Sequence, residues 1–287
     1  MWISYSLIFA IWTSISMIII KKMMKDISPM AFTVISLSFV LPFSISLLFF
    51  LGIPAFTPEF WKFIFVVSIL DTIAAIIYYK ALSISEISLL APISSFNPAF
   101  VLIFATIFLH ENPTPIKLIG ILLIIIGAYL LNVDQIRAGI FKPISKLLSD
   151  KGVKLFLISN LIWGMTPILQ KKAIFETTPN IPIAVPAIET IFIIIFLLPF
   201  LFKMKNVKKY TKTNLRTLLV YGSLATVGQF AALTAFSLNN VAYVTAIFKL
   251  SALFSIILGA LLFKEHHIQE RFLGAGVMVL GTILLAL

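Results

Sequence analysis

The 287-residue sequence is 60% apolar and 11% charged, whereas soluble domains carry roughly 45–50% and about 25%. A compact soluble domain of this size would lack the polar side chains to cover its surface, so a soluble globular enzyme is excluded and lipid is the implied solvent. The net charge of +11 does not point to nucleic acid, because the lysines cluster between apolar runs and suit anionic lipid headgroups.

Apolar runs of about one bilayer thickness occupy residues 2–20, 29–51, 60–82, 87–109 and 116–133. Five more occupy residues 153–173, 181–202, 214–237, 241–263 and 270–287. Ten transmembrane helices are predicted, the first retained because no charged leader precedes it. Between the two sets, Ile136, Ile140, Phe141 and Ile144 alternate with Arg137, Lys142 and Lys146 at amphipathic spacing. That interval fits a helix on the membrane surface and fits a solvated linker interrupted at Pro143 equally well.

The halves repeat. Shifted by 154 residues, Ala81, Ser83, Phe100, Glu111, Gly120 and Gly127 fall on Ala235, Ser237, Phe254, Glu265, Gly274 and Gly281. Shifted by 151, Trp12 and Lys21 fall on Trp163 and Lys172. Each half has an odd number of spans, so the second enters from the opposite face and the repeat is inverted, a geometry suited to alternating access. The expected architecture is an all-α membrane protein of two inverted five-helix repeats, residues 1–134 and 153–287, joined by a basic linker at 135–152.

Trp12 with the Lys21–Lys22 exit, Ala81-Leu82-Ser83, Asn97-Pro98, Glu111, and Gly120 with Gly127 resemble one EamA-like domain. Trp163-Gly164, Lys171-Lys172, Glu265, Gly274 and Gly281 resemble a second. This resemblance to the drug/metabolite transporter superfamily covers nearly the whole chain and implies ten helices around a central cavity. The chain departs from the family pattern where Ser38 stands in the second span, and Glu189 follows at the 151 shift. Ala252 takes the place of Pro98.

Intramembrane charge is the sharpest local signal. Asp71 lies about 16 Å along its span, and Glu189 and Lys249 about 12 Å along theirs, near the middle of a ~30 Å core. At roughly 2.5–3.5 kcal/mol each, none is expected to face lipid. Two readings follow. Lys249 holds an anionic substrate group or a carboxylate while Asp71 or Glu189 takes a proton or a cationic group, or these charges supply a structural ion pair that pins helices together. A switch between paired and unpaired arrangements would move a proton.

Pro92, Pro98 and Pro186 are expected to disturb their spans and free carbonyls that a cavity or side chains such as Ser94 and Asn97 would satisfy. Trp12, Tyr78, Trp163 and Gln229 are further cavity candidates, with Tyr79, Asn160, Gln170 and Tyr243 behind them. Glu111 and Glu265 each precede a helix start, where a carboxylate interacts favourably with the dipole. Thr114-Pro115 is a cap and first-turn pair. Gly120 with Gly127, and Gly274 with Gly281, permit close packing within the chain or against a second subunit. Both a monomer and a homodimer are consistent with this.

No catalytic constellation, cofactor motif or metal site is evident. There is no cysteine, and His110, His266 and His267 sit at membrane boundaries. The sequence therefore reads as a non-enzymatic secondary transporter of a small organic metabolite in the cell membrane, coupled to protons or working by exchange. The rivals are a membrane enzyme acting on lipid-linked substrates and a noncatalytic scaffold. Lysine and arginine concentrate after odd-numbered spans, which places both termini outside; the resemblance implies both inside.

Overall fold

The computed structural model describes residues 1–23, 27–85, 90–133, 149–202, 207–263 and 272–287. Most of the linker, residues 135–148, and Glu265, His266 and His267 lie outside the described residues. The first half contains α1 (Trp2–Met23), α2 (Pro29–Leu51), α3 (Pro58–Ile84), a 3₁₀ helix (Ala91–Phe96), α4 (Asn97–Leu109) and α5 (Pro115–Val133). The second contains α6 (Lys151–Phe175), α7 (Ala184–Phe202), a short α8 (Val207–Thr213), α9 (Leu215–Leu238), α10 (Val241–Phe248), α11 (Ser251–Phe263) and α12 (Phe272–Ala286). Five of these, α1, α2, α3, α6 and α9, are long and apolar enough to cross a membrane. The other apolar helices are shorter.

Helix starts follow local chemistry. Ser28 Oγ accepts from the Ala31 N–H with Pro29 at the first helical position, and Thr57 Oγ1 accepts from the Phe60 N–H at 3.2 Å with Pro58 there. Asp150 Oδ1 accepts from the Val153 N–H at 2.9 Å and so starts α6. These side chains satisfy amides that the first turn leaves without intrahelical partners, and proline there forfeits no hydrogen bond.

The expected proline kinks do not occur in that form. Pro98 is the second residue of α4 and Pro186 lies in the first turn of α7, positions where a missing N–H costs nothing. Pro92 similarly opens the 3₁₀ helix. What is interrupted is the span itself. The fourth apolar run changes from 3₁₀ to α helix at Phe96–Asn97, and the ninth breaks between α10 and α11 at Lys249–Leu250. Shifted by 154, Phe96–Asn97 falls on Leu250–Ser251, so the interruption repeats although proline stands in only one copy. In the second copy the Lys249 and Leu250 amides reach back three residues, to the Ala246 and Ile247 carbonyls, tightening the last turn.

Packing between the halves comes in matched pairs. As α3 packs on α6, α9 packs on α1; as α3 packs on α7, α9 packs on α2; as α4 packs on α6, α10 and α11 pack on α1. Repeat-equivalent helices also meet each other, α2 with α7 and α5 with α12, and α4 packs on α10, the other part of the ninth run. In the α5–α12 contact, Gly120 faces Gly281 and Gly127 faces Gly274. Numbers rise along one helix as they fall along the other, so these helices are antiparallel, and the glycine faces are used within the chain.

Two ends can be distinguished. At one, Ser85 donates to Asp150 where α3 ends and α6 begins, and Tyr210 Oη donates to the Met23 carbonyl at 2.8 Å where α1 ends. This basic end carries most of the lysines in the inter-helix segments. At the other, Thr57 Oγ1 donates to Glu176 Oε2 at 2.6 Å, and β1 (Ala55–Phe56) pairs antiparallel with β2 (Thr177–Thr178). This second end holds the Met1 terminus. A large apolar cluster that includes Phe60, Ile64, Val101, Ile168, Ile174 and Val244 fills the interior toward it.

Candidate functional site

A chamber of about 950 Å³ lies between the halves, within the size range of sites for small organic ligands. Its walls include Met17, Leu82, Leu131, Phe156 and Ser255 toward the basic end. The apolar cluster around Phe60 and Ile174 closes the other end. The cavity therefore faces the basic end.

Every principal residue singled out from the sequence borders this chamber: Trp12, Asp71, Tyr78, Asn97, Trp163, Glu189, Gln229 and Lys249. Ser94, Asn160 and Gln170 border it as well. Tyr79 and Tyr243 do not. Tyr79 hydrogen-bonds Thr33 between α3 and α2, and Tyr243 faces Trp2 and the Lys117 ammonium, 5.2 Å from its ring centre. Tyr221, Thr245 and Ser251 are wall residues that the sequence reading missed.

The carboxylates and the lysine do not form the structural ion pair that is one of the two readings of the sequence. Among the described residues Lys249 has no carboxylate within salt-bridge distance. It caps α10 in the break of the ninth run, a position that the proline pattern had not marked. The carboxyl groups of Asp71 on α3 and Glu189 on α7 are instead close neighbours. Glu189 is only 4% exposed. Its Oε2 accepts from Gln170 Nε2 at 3.0 Å, and its Oε1 has no hydrogen-bond partner. The Thr166 hydroxyl and the Trp163 indole neighbour Asp71. Gln229 Oε1, also buried, has no partner.

Aromatic and amide groups complete the wall. Trp163 and Tyr78 rings lie 5.2 Å apart, as do Trp12 and Tyr221. Asn97, the first residue of α4, donates to the Asn160 carbonyl at 3.2 Å and so ties the 3₁₀-to-α junction to α6. Among the described residues no three His, Asp or Glu side chains converge as a metal site.

Glu111 works on a different helix from the one it precedes in sequence. His110 ends α4 in the left-handed conformation, φ 55°, and turns the chain so that Glu111 follows. Glu111 Oε2 accepts from the Val241 N–H at 2.8 Å, at the start of α10. Oε1 accepts from Lys171 Nζ at 2.6 Å, and the same ammonium donates to the Asn239 carbonyl at 2.7 Å. The helix-dipole interaction is thus real but joins α4, α6, α9 and α10 at the closed end.

A solved structure described as "Crystal structure of protein" superposes with a TM-score of 0.73 at 14% identity, covering 99% of this chain and 98% of that one. This is a likeness of fold. The curated protein "Uncharacterized protein MJ1333.1" of Methanocaldococcus jannaschii is 37% identical over 68 residues, 24% of this chain. The chain spans about half the length of that relative, 50%. The EamA-like transporter family matches twice, over residues 1–133 and 150–287. Matched in both halves and rich in membrane-length apolar helices, this multi-pass membrane protein belongs to the EamA-like transporter family.

Proposed function

We propose that the protein is a secondary transporter of the cell membrane that moves a small organic metabolite by alternating access. The ten apolar runs, with the fourth and ninth interrupted, then form two inverted five-span repeats, residues 1–134 and 153–287, joined by the linker at 135–152. The matched packing pairs and the antiparallel glycine contact support a pseudo-two-fold axis in the membrane plane. Exchanging the contacts of α3 on α6 with those of α9 on α1 would close the basic end and open the other.

One observation carries this reading: a chamber of about 950 Å³ between the repeats gathers Asp71, Glu189 and Lys249, charges too costly to leave against lipid. Lys249, with no ion-pair partner among the described residues, serves as the hold for an anionic substrate group. Asn97, Gln229, Tyr78, Trp12 and Trp163 orient the rest. The adjacent carboxyls supply a place for a coupling proton, and exchange of one metabolite for another is the alternative mode.

A metabolite panel on purified protein tests this by thermal stabilisation, since a ligand bound only by the folded state raises the melting temperature. Hits are then tested for flux in liposomes. Lys249→Met should insert normally and lose uptake of an anionic hit. Unchanged behaviour across all these assays would instead favour a scaffold.

A further inference from the structure

We propose that Asp71 and Glu189 form the subsite for a primary ammonium group of the transported molecule, with Gln229 as a further acceptor on the chamber wall. The proposal rests on the transporter reading above and names what that chamber selects.

The argument starts from charge and hydrogen-bond inventory. Two neighbouring carboxyls in a buried site cannot both carry charge without a compensating cation, because like charges at that separation disfavour each other's ionisation. The protein does not provide that cation: among the described residues neither Asp71 nor Glu189 has a lysine or arginine within salt-bridge distance. Gln170 donates a single neutral N–H to Glu189 Oε2. Glu189 Oε1 is left with no partner in a side chain only 4% exposed, and a buried unsatisfied acceptor costs about 1–3 kcal/mol, more when charged. Gln229 Oε1, on α9, is unsatisfied in the same chamber.

An ammonium group supplies three N–H donors and one positive charge, which answers both deficits. The surroundings favour an organic cation over a bare metal ion. Trp12, Trp163, Tyr78 and Phe248 border the same space, and aromatic faces attract cations and accommodate an apolar body. Hard metal ions favour cages of six or more oxygens, whereas this wall offers two carboxyls and one amide oxygen. A proton alone would satisfy the carboxyl pair but would leave the Gln229 oxygen and the remaining volume unaddressed.

The test uses purified full-length protein and a series of primary ammonium chlorides from propylammonium to phenethylammonium, read by thermal unfolding. The comparison probes are 2-phenylethanol, phenylacetate and sodium chloride at matched ionic strength. The ammonium salts should stabilise the wild type saturably, and 2-phenylethanol should not. Asp71→Asn and Glu189→Gln, which keep side-chain shape, should each weaken apparent binding about tenfold or more. Lys62→Met, at an exposed lysine at the other end of the protein, should retain it.

Equal stabilisation by 2-phenylethanol, equal stabilisation by sodium, or undiminished amine binding in both variants would overturn the proposal. Should the variants fail to fold, the wild-type contrast between phenethylammonium and 2-phenylethanol decides alone. Binding of phenylacetate that Lys249→Met abolishes, with no amine binding, would sink the ammonium subsite and leave the transporter reading standing. The transporter reading itself falls if no metabolite is bound and no flux is seen.

Discussion

Gly120 and Gly281 face each other so closely that a β-carbon built on Gly120 would lie 2.9 Å from the Gly281 carbonyl oxygen, and one on Gly281 would lie 2.6 Å from that of Gly120. Gly127 and Gly274 repeat the relationship at 2.6 and 2.9 Å. Each glycine meets the repeat-equivalent of the other pair's member, so this contact lies on the pseudo-symmetry axis. It survives any exchange of the two halves' roles and is suited to be the fixed seam of the motion.

Gly127→Leu and Gly281→Leu should therefore destabilise the protein by about 1–3 kcal/mol, the usual cost of overpacking a tight contact. Gly276 lies on the same helix as Gly281, and a β-carbon there meets nothing within 4 Å. Gly276→Leu is the matched control and should melt with the wild type in detergent. A drop for Gly276→Leu as large as for Gly281→Leu would show that close approach does not set the effect, because helix propensity alone favours leucine over glycine.

The Glu111–Lys171 pair makes a different prediction. Its side chains are 10% and 12% exposed, so losing one partner strands the other away from water. Lys171→Met should cost about 3–5 kcal/mol, as breaking a buried pair does. The double variant Lys171→Met, Glu111→Gln should lose less than the two single losses added together. Hydrogen exchange at the Val241 amide should quicken in Glu111→Gln, because that N–H loses its charged acceptor. Additive losses with unchanged exchange would show that the pair does not secure the start of α10.

How much of this was legible follows from which forces act locally. Hydropathy marks most helices because lipid demands it, and Thr114-Pro115 announces its helix start, whereas the equivalent pairs Ser28-Pro29 and Thr57-Pro58 emerged only with the structure. Asp71, Glu189 and Lys249 stand out because charge in hydrocarbon is costly. Their pairing was not legible, since α3 and α7 come together only through tertiary packing, and a lysine gives no hint of which carboxylate it fails to reach. Glu111 was read against the helix next in sequence, whereas its partner amide at Val241 lies 130 residues away. The break at Lys249–Leu250 carries no proline, so only its equivalence to Phe96–Asn97 reveals it. Tyr221 and Tyr243 show the same limit: an aromatic residue in a span fits a cavity wall or a packing face until neighbouring helices fix which side it presents.

Gly228 sits against the Trp12 ring, and a β-carbon there would overlap the ring at Cδ1. Gly228→Ala should push Trp12 into the chamber, reduce its volume and leave the backbone of α9 in place, because alanine suits a helix better than glycine. Ligand affinity should fall while the melting temperature changes little. Tryptophan fluorescence should shift in Gly228→Ala and not in a Gly228→Ala, Trp12→Phe double variant. An unchanged affinity would mean that Trp12 is not part of the occupied wall.

The absence of cysteine from the sequence makes single-cysteine labelling a direct test of which way the chamber faces. Ser255 borders the chamber toward the basic end, and Lys62 lies at the other end with its side chain 68% exposed. Lysine-rich segments are retained in the cytoplasm, so the basic end and the chamber mouth should face inward. In intact cells a membrane-impermeant maleimide should modify Lys62→Cys and spare Ser255→Cys until the membrane is permeabilised. Bound ligand should then protect Ser255→Cys alone, since Lys62 lies across the apolar seal formed around Phe60 and Ile174. The reverse labelling pattern would place both termini in the cytoplasm. It would mean that the charge distribution is overridden in this chain, and that the cavity captures its cargo from outside.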